Sequence, residues 1–249
     1  MKLKLSALED GLTTAEIFER LVVQNPEVSA IHAFAYRHPP LLQDRLEFDP
    51  KEKAVLGKAL SLRKKTGMPF WEALLLSCFD ESLDFSRLLG EARFHQSHRS
   101  SICRISRQEA LGGRLVEFSN NPPDGCNLSI SSGIEVCGGA LKHLPFLDFH
   151  CPESVRNDRL VSDVCIEIYR SPVIVMSSGE SYHSIGLELL GEAELRGLLT
   201  RSLLYSPIVD ARYVTHQLLE GACALRLSSS VNKPRLPRLR FVVDSHRED

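Results

Sequence analysis

The sequence predicts an α+β protein in which a helical N-terminal region precedes a domain of strands and helices. Helix start signals and apolar repeats of helical period dominate residues 1–92. From about residue 93 the pattern changes to short apolar runs separated by glycine and proline, which is typical of strands and turns. We therefore predict a helical region over residues 1–92 and a second, catalytic domain over residues 93–249.

Two helix starts lie in the N-terminal region. Thr13 and Glu16 form a capping box, and an apolar stripe of helical spacing follows them. Asp49 and Pro50 form the second start, a capping carboxylate followed by proline at the first helical position. Trp71 is expected to pack in a core or at a domain interface. The region is expected either to dock a protein partner or to support the sheet.

The second domain is predicted to contain a small sheet and then a larger one. The small sheet comes from the runs SICRIS, RLVEF, NLSIS and GIEVCGG. Residues 144–243 then give a strand, a helix, two strands that form a hairpin, further helix, and closing strands. This is a split βαββαβ order, as in ferredoxin-like and RNA-recognition-motif-like (RRM-like) sheets. In that layout the first strand lies beside the central hairpin, so Asp148, His150 and His183 are expected to meet on one exposed face of the sheet, with Asp210 arriving from the loop between helices.

Composition excludes several classes of protein. The chain has 249 residues, of which 43% are hydrophobic and 25% charged, as in ordinary globular proteins. The net charge of -2 provides no global basic field, so a nucleic acid would have to meet a local patch. The seven cysteines are scattered, which indicates reduced thiols rather than a disulfide framework or a zinc knuckle. We find neither a signal peptide nor a membrane-spanning run, and expect a cytoplasmic protein without membrane contact.

Three apolar runs end in, or are interrupted by, polar residues of the kind that hold metals and phosphates. In LDFH, the period of two places Asp148 and His150 on one strand face. In SGESYH, a turn of small residues offers backbone N–H groups and the Ser181 hydroxyl to a phosphate, and His183 follows the turn. In IVD, Asp210 ends the run before a helix. Carboxylates and an imidazole are ligands for divalent metal, and His183 is placed to donate to a triphosphate.

These stretches resemble the three motifs of the archaeo-eukaryotic primase superfamily, the primase-polymerases. Its pattern is an acidic motif at a strand end, a Ser-x-His strand after a small-residue turn, and an apolar residue with Asp about one helix later. The order matches, with 35 residues from Asp148 to His183 and 27 from there to Asp210. The resemblance covers about residues 100–243 and implies an RRM-like core that joins nucleotides on a nucleic-acid template.

The resemblance also implies roles for individual residues and partners. Those expected to bind Mg²⁺ or Mn²⁺ and to catalyse are Asp148, His150 and Asp210. Four residues are expected to contact the nucleotide or its phosphates: Ser181, His183, Arg226 and Lys233. Arg226 and Lys233 are included because CALRLSSSVNKPRLPRLR resembles the segment that follows the third motif. The basic residues near the last strand either line a path for phosphates or protect an edge strand. The implied partners are nucleoside triphosphates and a DNA or RNA template.

One position departs from the family pattern. Family members usually carry two carboxylates in the first motif, whereas this chain has His150 at the second of these positions. Loss of an anion weakens Mg²⁺ binding, while an imidazole suits Mn²⁺ and other transition ions. The chain is therefore either an active nucleotidyltransferase with altered metal preference or a member that binds nucleotide or nucleic acid without polymerising.

Two further classes are less consistent with the sequence. Asp-x-His after an apolar strand also begins the calcineurin-like metallophosphoesterases, but their later Gly-Asp and Gly-Asn-His motifs do not occur in this chain. A non-catalytic nucleic-acid-binding module on an RRM-like sheet would carry a stacking motif rich in Lys or Arg, Gly and Phe, which the predicted strands lack.

Overall fold

The computed structural model describes residues 1–6, 8–37, 49–80, 99–229 and 234–244. Its elements in chain order are α1 (Thr14–Gln24), β1 (Val28–Arg37), α2 (Pro50–Thr66), α3 (Phe70–Asp80), β2 (Arg99–Ser106), α4 (Arg107–Leu111), α5 (Arg114–Asn120), β3 (Cys126–Val136), β4 (Leu141–His143), β5 (Phe146–Asp148), α6 (Val155–Ile168), β6 (Val173–Ser177), β7 (Tyr182–Gly186), α7 (Glu192–Ser202), a 3₁₀ turn (Leu203–Tyr205), α8 (Ala211–Glu220), β8 (Ala224–Arg226) and β9 (Arg238–Val243). Among the helices in these ranges, none has both the length and the apolar character needed to cross a membrane.

The prediction of an α+β fold is confirmed by two antiparallel sheets and the helices around them. The first sheet has the order β2-β1-β3-β4, with β8 paired to β3, and the second has the order β5-β7-β6-β9. The hairpin β6–β7 and its neighbour β5 form as the sequence predicts. The closing strands divide between the sheets, since β8 pairs with β3 and β9 with β6. The RRM-like arrangement as a whole stays a prediction.

Strand β1 corrects the expectation that the N-terminal region is helical. It runs antiparallel to β2, with Ala30 opposite Ser106 and Phe34 opposite Ile102. Its sequence VSAIHAFAYR contains three alanines, which have little preference for strands, so strand pairing rather than local propensity fixes its conformation. The compact units consequently differ from the predicted division at residue 92: one is Met1–Tyr36 with Arg99–Asp249, and the other is Arg37–His98.

The first unit has one continuous apolar core formed by both sheets and their helices. The capping box predicted for α1 is present, because the Thr13 hydroxyl accepts from the Glu16 N–H and the Glu16 carboxylate accepts from the Thr13 N–H at 2.7 Å. This cap fixes the start of a helix whose Phe18 ring packs edge-to-face on Phe146 of β5, with the ring centroids 5.9 Å apart. Helix α1 therefore supports the strand that carries the first motif.

The described part of the second unit contains a pair of helices. Helix α2 has the predicted capping Asp49 before Pro50, where Asp49 and Glu52 also form a capping box, and it is capped at its end by Gly67, whose φ of 71° is left-handed. Its apolar residues pack against those of α3, and the buried members of the cluster are Val55, Leu56, Ala59, Ala73, Leu74 and Cys78. Trp71 is partly buried against the same cluster, with its ring centroid 5.2 Å from that of Phe70.

Gly186, at the end of β7, is expected to tolerate no side chain. A Cβ there would lie 2.6 Å from the Tyr169 ring and 2.9 Å from Pro145, and the Tyr169 ring is held by a 2.7 Å hydrogen bond to Ser184. We expect Gly186→Ala to lower the free energy of unfolding by about 1–3 kcal/mol through overpacking. Equilibrium unfolding in urea measures the change.

Gly197→Ala is the matched control for this substitution. Gly197 lies inside α7, where the nearest atom to a new Cβ is Arg201 Nη1 at 3.6 Å. Alanine is favoured over glycine inside a helix by about 1 kcal/mol, so this variant is expected to be as stable as the parent or more stable. A Gly186→Ala protein as stable as Gly197→Ala would contradict the packing described for β7.

Candidate functional site

Backbone hydrogen bonds join the first and third predicted motifs. The Asp210 N–H donates to the carbonyl of Asp148 at 2.9 Å, and the His150 N–H donates to the carbonyl of Ile208 at 2.8 Å. Between them, Phe149 and Val209 form an antiparallel bridge. Residues 208–210 therefore continue the edge of the sheet beyond β5, and the two aspartates occupy neighbouring positions.

The second motif lies next to the first because β5 and β7 pair in register. Asp148 is directly opposite His183, and the imidazole Nε2 is 3.5 Å from the Asp148 Oδ1. The sequence predicts that these residues meet on an exposed face, and this is wrong for His183, whose side chain is only 5% exposed. The reason is that β7 lies between β5 and β6 and all of its residues are buried.

Asp210 has a structural role as well as a place in the candidate site. Its Oδ1 caps α8 by accepting from the backbone N–H groups of Arg212 and Tyr213 at 2.8 and 3.1 Å. Its Oδ2 lies 4.0 Å from the His150 Nδ1. The His150 side chain is 58% exposed, so this pair forms the solvent-facing side of the site.

The turn between β6 and β7, residues 177–181, already binds a carboxylate of its own chain. The Glu153 Oε1 accepts from the Ser177 hydroxyl at 2.6 Å and from the Gly179 N–H at 3.0 Å. Within the turn, Ser181 lies against Ser178, with their hydroxyl oxygens 3.0 Å apart. Gly179 has a φ of 97°, which favours glycine. Sequence reasoning places this turn, whose binding of phosphate stays a prediction, but misses Glu153, whose spacing from the motifs gives no signal.

Arg226 binds backbone carbonyl groups of the same turn and of the following segment. Its Nη2 donates to the carbonyl of Ser178 at 2.7 Å, and its Nη1 donates to those of Ser228 and Arg235 at 2.8 and 2.7 Å. Burial lowers the pKa of the Arg226 guanidinium, while the negative charge of Asp148 acts in the opposite direction. The predicted nucleotide contact by Arg226 stays a prediction, and Lys233 lies outside the described residues.

The basic residues of β9 are held by groups of the same unit. Arg238 donates to the carbonyl of Gly11 at 2.7 Å, and Arg240 pairs with Asp158 at 2.8 Å. The hydrogen bond from Arg240 lowers the pKa of Asp158 from its usual value. Strand β9 is at the edge of its sheet, so these contacts agree with the alternative in which charge protects an edge strand. Arg235 instead lines a cavity of about 230 Å³ beside the 177–181 turn.

The site residues offer the donor types that divalent metals use, but not a formed metal cage. Two carboxylates and an imidazole come from segments joined by backbone hydrogen bonds. Within the described ranges, however, no group of three or more His, Cys, Asp or Glu side chains is arranged to hold an ion. The donor chemistry therefore fits a divalent metal, and the predicted ligand set of Asp148, His150 and Asp210 stays a prediction.

Comparison with known proteins gives one family. A family model described as AEP-like, Archaeo-eukaryotic primase 1D-like, matches residues 113–238, just over half of the chain. The matched range contains β5, the 177–181 turn and β7, residues 208–210 and Arg226. No curated protein and no solved structure gives a match.

Two substitutions of Asp210 distinguish the hydrogen bonds by which its side chain caps α8 from the negative charge that it carries. Asp210→Ala removes both hydrogen bonds to the first turn of α8, whereas Asp210→Asn keeps an oxygen in the capping position. We expect the alanine variant to be less stable than the asparagine variant by about 1 kcal/mol in urea unfolding. Equal stability of the two variants would show that the carboxylate does not cap α8 in solution.

Proposed function

Because the chain belongs to the archaeo-eukaryotic primase-like family, we propose that it is a metal-dependent nucleotidyltransferase that adds nucleotides on a nucleic-acid template. Members of this family typically use divalent metals. The observation that carries the proposal is the meeting of three motifs that lie far apart in the chain. Asp148, His183 and Asp210 are brought together by strand register and by one backbone hydrogen bond.

In the proposed site, Asp148, Asp210 and His150 would hold Mg²⁺ or Mn²⁺. The metal would supply positive charge to the triphosphate and to the oxygens that develop charge during transfer. The cap of α8 fixes one oxygen of Asp210, and this leaves the other oxygen on the side of His150. Since an imidazole is a nitrogen donor, we propose that Mn²⁺ is preferred over Mg²⁺.

The nucleotide would be bound by the second motif and the segment after β8. Ser181 and His183 are proposed to contact the triphosphate, with His183 also holding the carboxylate of Asp148 in place from 3.5 Å. Lys233 is proposed to reach the phosphates directly and Arg226 to support their binding. The helical region around α2 and α3 remains the proposed contact for a protein partner.

A second candidate function is nucleotide binding without transfer. It is favoured by the imidazole of His150 where the family usually has a carboxylate. Such a protein would retain the turn and the strands of the site while lacking the second carboxylate of the first motif.

Primer-extension assays distinguish the two candidates. We expect the parent protein to extend a primed template with nucleoside triphosphates, and to do so faster with Mn²⁺ than with Mg²⁺. Asp148→Asn and Asp210→Asn are expected to lower the rate at least about 100-fold, because each removes a proposed metal ligand. Asp163→Asn, an exposed change on α6, is the matched control and is expected to leave the rate unchanged.

Metal-dependent nucleotide binding without product would favour the second candidate function. Absence of both product and binding would reject both candidates. If the parent forms product and Asp148→Asn forms it at the same rate, the proposed site is rejected.

A further inference from the structure

The 177–181 turn is held from one side by Glu153. The carboxylate accepts from the Ser177 hydroxyl at 2.6 Å and from the Gly179 N–H at 3.0 Å. The Glu153 backbone N–H also donates to the carbonyl of Glu180 at 3.3 Å. A charged acceptor makes stronger hydrogen bonds than a neutral one, so this side chain fixes the donors of the turn.

Strand register shows which face of the sheet Glu153 occupies. Ser177 lies opposite Tyr182 in the β6–β7 pair, so their side chains share a face. The Tyr182 hydroxyl donates to Asp158 of α6 at 2.8 Å, and that face is therefore the one covered by α6. His183 follows Tyr182 and projects to the opposite face with Asp148. Glu153 consequently lies behind the turn, away from the candidate metal ligands.

Arg226 holds the same turn through its carbonyl groups. Its guanidinium donates to Ser178 on the turn and to Ser228 and Arg235 on the segment after β8, at 2.7 to 2.8 Å. Arg226 is only 9% exposed and Ser178 only 1%. Both terminal nitrogens of the guanidinium are thus committed to backbone oxygens rather than directed to solvent. The planar fork suits this task, because its donors diverge in fixed directions, whereas an ammonium group is a compact charge on a flexible stem.

From these contacts we propose that Glu153 and Arg226 are positioning residues that clamp the 177–181 turn for triphosphate binding. Glu153 binds the turn's donors and Arg226 binds its carbonyl, so the backbone is fixed by opposite charges. Arg226 also ties the turn to Arg235, which lines the adjacent cavity of about 230 Å³. The inference rests on the proposed role of this turn in nucleotide binding, and it assigns both residues an indirect part in that role.

Amide hydrogen exchange of the turn tests the clamp without any nucleotide. Glu153→Ala and Arg226→Lys are expected to speed exchange of the Gly179 amide at least about 10-fold, since each removes contacts that fix the turn. Glu153→Gln keeps an acceptor oxygen and is expected to stay within about 2-fold of the parent. Glu192→Ala and Arg196→Lys, which alter an exposed ion pair on α7, are matched controls expected to show parent rates. Unchanged exchange in both clamp variants would overturn the proposal.

Affinity for a non-hydrolysable ATP analogue with Mn²⁺ tests the positioning role. We expect about 10-fold weaker binding in Glu153→Ala and Arg226→Lys, and rescue to the parent value in Glu153→Gln. Parent affinity in Arg226→Lys would overturn the positioning role, because a direct charge contact with phosphate survives that change. Tighter binding in Glu153→Ala would overturn it too, because Glu153 would then compete with phosphate. Failure of the parent to bind counts against the proposed function, while exchange still tests the clamp.

Discussion

The candidate site depends on the backbone pairing of residues 148–150 with residues 208–210, which includes the hydrogen bond from the N–H of Asp210 to the carbonyl of Asp148. Backbone polar groups away from water need partners, so the constraint that builds the sheet also joins the two motifs. This pairing places the two aspartates at neighbouring positions independently of any ligand. A bound cation would stabilise negative charge on both side chains. Strand pairing thus brings together the residues of the proposed metal site.

Sequence predicts many of the local parts of this arrangement and misses the non-local ones. The capping box at Thr13, the capping Asp49 and the β6–β7 hairpin are predicted correctly, because each depends on residues close together in the chain. The run RLVEF, predicted as a strand, is wrong, since it lies in α5. Strand β1 is missed because its alanines carry little strand preference and its conformation comes from pairing with β2 and β3. The separation of β8 and β9 into different sheets is likewise decided by pairing partners rather than by their own sequences.

The structural contacts of Glu153 and Arg226 could not be found from residue types, because their partners are largely backbone atoms. A charged residue beside a motif suggests contact with a charged ligand, but most side-chain hydrogen bonds in proteins go to backbone or water. Arg226 follows this rule, since its guanidinium donates to the carbonyl groups of Ser178, Ser228 and Arg235. Glu153 follows the rule through one of its contacts, since its carboxylate accepts from the backbone N–H of Gly179. The sequence therefore predicts the position of the 177–181 turn, but not the side chains that hydrogen-bond to its backbone.

The charge of the neighbouring carboxylates bears on the role of His150 in the site. One carboxylate oxygen of Asp210 caps α8, and the other lies 4.0 Å from the imidazole of His150. A carboxylate at position 150 would add a third negative charge beside Asp148 and Asp210 and would increase repulsion when no metal is bound. The imidazole avoids that repulsion and, when protonated, attracts Asp210. Its cost is the loss of a hard oxygen donor, which under the proposed function moves metal preference from Mg²⁺ toward ions that accept nitrogen.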